Sequence, residues 1–204
     1  MKDDLERRLR GASVPGAFDI SHLRSGLVRR AAAEGLLDVA YGTYESPLGT
    51  LTVMVTQRGL VRLTYPGERI QDQLQELADR VSPRILEAPE RTDDVRRQLD
   101  AYFAGRRQAF DVPIDWRLVR GFTGDVLRAT ARIPFGGVSS YREIAAAAGS
   151  PNAYRAAGNA LGSNPVPIVV PCHRVLHAGG GLGGYTGGIE RKRYLLQLEG
   201  ALPI

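Results

Sequence analysis

Asn164-Pro165-Val166-Pro167-Ile168-Val169-Val170-Pro171-Cys172-His173-Arg174-Val175 is the stretch on which the reading of this chain turns. It holds the only cysteine of 204 residues, directly before one of only three histidines, at the end of an apolar run fenced by three prolines. Ile168-Val169-Val170 is β-branched and predicts a short buried segment. The prolines remove backbone donors and fix φ, so the chain here is expected to be extended and stiff, aiming whatever follows it. A thiol is a nucleophile only as thiolate, a form that a neighbouring imidazole or a helix N-terminus favours. Free cysteine is also among the most buried residue types, so Cys172-His173 alone leaves an inert core thiol open.

Composition sets the bounds around that stretch. With 43% hydrophobic and 24% charged residues the chain reads as globular, long enough for one or two cores. No apolar run approaches the length of a membrane span, and Met1 to Arg10 is charged with no hydrophobic segment behind it. A cytoplasmic protein is expected. One cysteine cannot form an internal disulfide, and with scattered histidines it makes no structural zinc site, so no metal is expected. The net charge of +5 is unevenly spread: residues 119–204 carry nine Lys and Arg against four acids, whereas the rest balances at eighteen each. That asymmetry predicts a polyanion footprint on the C-terminal half, with a solvated surface as the alternative.

Outward from the motif, the chain divides into three parts. Residues 1–38 carry Leu5, Leu9, Ile20, Leu23, Leu27 and Ala31 to Ala33 at loosely helical spacing, predicting an extension of one or two short helices without an assigned role. Residues 39–115 predict an α/β supporting domain. Its segments 41–44, 50–56 and 60–65 form an antiparallel meander, a helix follows over 70–81, then an extended link at Ile85-Leu86 and a helix over 92–103. Residues 116–204 predict a mainly helical domain. A helix over 123–132 is stopped by Pro134-Phe135-Gly136-Gly137. Ser140 and Glu143 have capping-box spacing before Ile144, and Gly149 closes that helix. Ser150-Pro151 then reads as the start of a helix to Leu161, so that the pair forms a helix-turn-helix. The second helix is lined with Ala153, Ala156, Ala157, Gly158 and Ala160. Gly158 costs about 1 kcal/mol relative to alanine, which predicts a close approach by some partner or by a neighbouring helix.

Pro171-Cys172-His173-Arg174-Val175, preceded by Asn-Pro-Val-Pro and followed by the glycine-rich run 183–188, resembles the active-site signature of the O6-alkylguanine-DNA alkyltransferases. The likeness runs nearly without gaps from about Arg120 to Gly200. It implies a small α/β domain beside a winged-helix/helix-turn-helix domain, and stoichiometric, irreversible transfer of an alkyl group from O6-alkylguanine, and from O4-alkylthymine, to Cys172. The thioether product has no means of release, so each molecule acts once. No cofactor is implied, because the lesion supplies the group. Double-stranded DNA carrying alkylated bases is the partner, and a monomer with no obligate protein partner and no membrane association is expected.

The resemblance also implies the roles of single residues. His173 deprotonates Cys172 through a bridging water, with Glu199 orienting the imidazole; Tyr141 serves a guanine ring nitrogen; Asn164 ties the recognition element to the active-site loop. Helix 151–161 enters the minor groove, and Arg155 takes the place of the flipped base. Tyr185 walls the pocket and Thr186 contacts O6, where serine is common in the family. Carbonyls near Cys172 and Val175 accept from the guanine amine, and Ser140, Arg174 and Gly187 complete the substrate-binding set. Gly183, Gly184, Gly187 and Gly188 allow backbone approach. Tyr154 departs from the family's usual smaller residue. Rival readings are a non-transferring lesion binder, which Cys172 argues against, and a helix-turn-helix regulator with an incidental thiol, which predicts base-sequence specificity. A bifunctional sensor would need a second cysteine-bearing segment, and a cysteine hydrolase an acyl or oxyanion site.

Overall fold

The computed structural model describes residues 20–203. The described residues fall into two units that divide between Leu36 and Leu37. In the first, helix α1 (Ile20–Ala33) carries Leu23, Leu27 and the alanines on which a helix was expected; Leu5 and Leu9 lie outside the described residues. None of the described helices is long and apolar enough to cross a membrane.

The second unit opens with three strands, β1 (Val39–Ser46), β2 (Gly49–Thr56) and β3 (Gly59–Thr64), joined by two-residue turns as an antiparallel meander. Helix α2 (Ile70–Arg80) then carries the chain back across the sheet, so that β4 (Ile85–Glu87) enters parallel to β1. The sheet order is β3-β2-β1-β4. The sheet is therefore mixed rather than antiparallel, and the expected extended link at Ile85-Leu86 is its fourth strand. Three residues are too few to show a period in the sequence. One cluster of buried side chains, Val39, Met54, Val61, Leu77 and Leu118, includes the contact with α2. The other joins Leu51, Val53 and Leu63 to Val95, Leu99 and Tyr102 of α3 (Asp93–Phe103) and continues unbroken into the helical half through Leu127, Ile144, Ala157, Ile168 and Cys172.

The helical half contains α4 (Gly121–Thr130), β5 (Ser139–Ser140), α5 (Tyr141–Ala147), α6 (Tyr154–Gly162), β6 (Val175–Leu176) and α7 (Ile189–Leu198). β5 and β6 pair in parallel beside the helices. The capping box forms as its spacing requires: the Ser140 hydroxyl accepts from the Glu143 amide, and Glu143 accepts from the Ser140 amide. α6 starts later than expected. Ser150-Pro151-Asn152-Ala153 closes as a separate turn, with the Ala153 amide bonded to the Ser150 carbonyl at 2.9 Å, so Pro151 occupies the second turn position and Tyr154 opens the helix.

The apolar run before Cys172 also departs from expectation. It is coiled: the Val170 amide donates to the Val166 carbonyl at 2.9 Å, and Ile168 sits at φ 72°. A β-branched residue in the left-handed region is costly. Complete burial of Val166, Ile168 and Val170 offsets that cost. The sheet grips this segment directly, because the Leu63 amide at the edge strand donates to the Pro165 carbonyl at 2.8 Å.

The connection between the halves is pinned to the same edge. The Leu60 amide donates to the Pro113 carbonyl and the Asp115 amide to the Leu60 carbonyl. Gly59, at φ 125°, lies so close that an added Cβ would be 2.0 Å from the Pro113 carbonyl oxygen. Gly59→Ala is expected to destabilise the protein by about 2 kcal/mol or more. Urea unfolding measures this as a lowered midpoint at unchanged slope, and an unchanged midpoint would contradict the contact.

Candidate active site

The turn of the apolar run delivers Cys172, His173 and Arg174 as one turn of 3-10 helix between Pro171 and β6. Cys172 is buried, 6% exposed. Its sulfur accepts from the Asn164 side-chain amide at 3.1 Å; that same nitrogen donates to the Val170 carbonyl at 2.8 Å, and the Asn164 oxygen accepts from the Val166 amide. Asn164 thus holds both ends of the turn and touches the thiol. Burial pushes the thiol pKa up, while the Asn164 contact and the charge of Lys192 pull it down. The resting form is the thiol.

His173 is fully buried and shares a 2.9 Å hydrogen bond with Glu199 through Nε2. A carboxylate can only accept, so Nε2 carries the proton and Nδ1 presents a lone pair. That Nδ1 has no partner among the described residues. Burial lowers the His173 pKa, opposed by Glu199, which leaves a neutral imidazole.

Glu199 is the centre of the buried polar cluster. It accepts from the Tyr102 hydroxyl at 2.6 Å, from His173, and from Arg174 through Nε at 2.7 Å and Nη2 at 2.8 Å. Burial alone would raise its pKa; the hydrogen bonds from His173, Arg174 and Tyr102 overcome that and hold it at about 2. Lys192, with no exposed surface, donates to the Val175 carbonyl at 2.6 Å, and burial lowers its pKa to about 8 against the opposing influence of Cys172.

Cys172 opens on a cavity of about 660 Å³. Ser140 at the end of β5, Tyr141 from α5, Arg155 and Gly158 from α6, and Tyr185 and Thr186 from the glycine-rich loop also line it. A Cβ on Gly158 would meet only the Tyr141 ring, at 3.7 Å, so this glycine relieves no clash and widens the cavity. Ala157 and Ala160 face inward as core residues, whereas Arg155 and Ala156 are exposed. Tyr154 lies between Arg142 and Arg155, each guanidinium within 6 Å of its ring.

Other residues singled out by sequence are engaged with partners inside the protein. Arg174 is turned inward to Glu199 and the Ile133 carbonyl and lines no part of the cavity that opens on Cys172 between α5 and α6. The Val175 carbonyl already serves Lys192. Gly187 is buried behind the loop: an added Cβ would meet Tyr65 at 2.6 Å and Tyr185 at 2.8 Å. Thr186 donates its hydroxyl to the Gly162 carbonyl at 2.8 Å, joining the loop to the end of α6. Burial of Arg174, Lys192 and Glu199 leaves seven basic and three acidic residues of the basic half outside this cluster.

The sequence matches two family domains, the 6-O-methylguanine DNA methyltransferase ribonuclease-like domain over residues 39–116 and the DNA binding domain over residues 121–201. The chain belongs to the 6-O-methylguanine DNA methyltransferase family. It is 43% identical over 166 residues to the methylated-DNA–protein-cysteine methyltransferase of Mycolicibacterium paratuberculosis, covering 79% of this chain and 92% of that one. It is 39% identical over 163 residues to the constitutive methylated-DNA–protein-cysteine methyltransferase of Bacillus subtilis, covering 78% and 94%. The crystal structure of Mycobacterium tuberculosis OGT in complex with DNA matches with a TM-score of 0.68 at 41% identity, covering 79% of this chain and 93% of that one. The family and the two-part fold that Pro-Cys-His-Arg-Val implied are both met.

Sequence reading missed three side chains that the structure brings to the surroundings of Cys172 and Glu199. Lys192 stands in Arg191-Lys192-Arg193 and looks like surface charge, yet Lys192 and Glu199 share one helical face with the buried Leu195 and Leu196. That phase was a usable signal. Tyr102 and Tyr65 reach the site from the other half, and no local pattern marks them.

Because Glu199 has a depressed pKa, its paired, charged form stabilises the fold above the ordinary carboxylate value of 4.5, and that contribution is lost as pH falls from there toward about 2. Glu199→Gln is expected to cost about 3 kcal/mol near neutral pH. In urea unfolding the gap between the two proteins closes across that acid window; a gap independent of pH would contradict the assignment.

Proposed function

We propose that this protein repairs alkylated DNA by direct reversal, moving the alkyl group of O6-alkylguanine to Cys172 in a single irreversible turnover. One observation carries this reading: the sole cysteine of the chain lies at the cavity walled by the two helices of the helix-turn-helix, which Tyr141 and Arg155 also line. α6 enters the minor groove through its exposed Arg155-Ala156 side, and Arg155 fills the gap left when the damaged nucleotide turns into the cavity.

In the proposed step the His173 Nδ1 lone pair takes the thiol proton through a water. The Cys172 sulfur attacks the alkyl carbon in line with O6; the carbon–sulfur bond forms as the carbon–oxygen bond breaks, and its electron pair passes to the guanine. Tyr141 is suited to supply the proton that the departing base needs, since burial raises its pKa and keeps it a neutral donor. Glu199 stabilises the imidazolium, and the Lys192 charge stabilises the thiolate. The same displacement serves O4-alkylthymine. Residues 39–115 act as support and residues 116–204 as the DNA-binding and transfer domain, the protein working as a cytoplasmic monomer with no obligate protein partner.

Intact-protein mass after incubation with duplex DNA containing O6-methylguanine tests the reading. A gain of one methylene mass, mapped to Cys172, limited to one per chain and absent from Cys172→Ala, is expected. Lesion binding without a mass gain would favour a non-transferring lesion binder.

A further inference from the structure

Tyr65 follows β3 and lies 120 residues before Tyr185. Its side chain is buried, and the two tyrosine hydroxyls are 2.6 Å apart, with their rings edge to face at 6.0 Å. Three contacts fix it. The Tyr65 amide donates to Glu68 at 3.0 Å. The Arg191 guanidinium lies 5.0 Å above the ring while donating to the Gly187 carbonyl at 2.8 Å. Gly187 itself approaches so closely that no side chain fits there. A second cavity, of about 140 Å³, is lined by Tyr65, Tyr185 and Cys172 together. Tyr185 and Cys172 line the larger cavity together as well.

A phenol has one proton to give and lone pairs to accept. Of two hydroxyls in contact, the one that accepts keeps its own proton free for a third group. Burial raises the pKa of both tyrosines, so each keeps its proton. We propose that Tyr65 is a positioning residue for the transfer reaction: donating to the Tyr185 hydroxyl, it leaves the Tyr185 proton directed at the Cys172 sulfur, where it stabilises the thiolate. A chain of this kind polarises along its length. The inference rests on Cys172 being the alkyl acceptor, and it makes a side chain of the supporting sheet part of the arrangement around the thiol.

Tyr65→Phe keeps the ring and removes only the hydroxyl. Single-turnover methyl transfer from O6-methylguanine duplex DNA is expected to slow about fivefold while DNA affinity is unchanged. The rise of Cys172 reactivity with iodoacetamide is expected to move to higher pH. Tyr185→Phe moves it the same way, and adding Tyr65→Phe to that variant changes nothing further. A wild-type rate, or a slower rate with an unmoved pH profile, would overturn the inference, the latter leaving Tyr65 a packing residue. If the unaltered protein gains no methyl group, the transfer reading fails instead, and the iodoacetamide profiles alone decide the place of Tyr65.

Discussion

A carboxylate with no exposed surface cannot stand alone, and Glu199 is where this fold meets that constraint. Three parts of the chain satisfy it. Tyr102 comes from α3 beside the sheet, His173 and Arg174 from the turn after the apolar run, and Glu199 itself from the end of α7. Losing one partner would leave a buried charge underpaired. The cluster therefore fixes how α3, the cysteine turn and α7 meet, and it sets the tautomer of the histidine next to the thiol.

The electrostatics of the cavity follow from that arrangement. Glu199 stays ionised at any ordinary pH, His173 stays neutral, and Lys192 is held with a pKa of about 8. Cys172 rests as a thiol because burial disfavours its anion, while Asn164, Lys192 and Tyr185 lower the cost of forming one. A protected thiol that ionises only with help suits a protein that acts once: premature oxidation or alkylation would consume the molecule.

Much of this was legible locally. The meander, the capping box and Pro-Cys-His-Arg-Val each depend on neighbours a few residues apart, and each appears where its pattern placed it. What escaped depends on distance or on compensation. β4 is too short to show periodicity and exists because β1 is beside it. Ile168 occupies a backbone region that its side chain disfavours, held there by burial. The Ser150-Pro151 pair fits a helix start and a turn equally well, and the Ala153 amide selects the turn. Lys192 reads as surface charge, and Arg174 as a substrate contact, until their buried acceptors are known. Tyr65 and Tyr102 reach the site only because the two halves share one core.

The most direct test of this account is the single-turnover rate of methyl transfer by Glu199→Gln near neutral pH, where circular dichroism verifies the fold. Glutamine can still accept from Nε2 but cannot balance an imidazolium. The rate is predicted to fall about 100-fold or more with DNA binding intact. An unchanged rate would mean that the buried carboxylate serves the fold alone and that the thiol is activated by some other group.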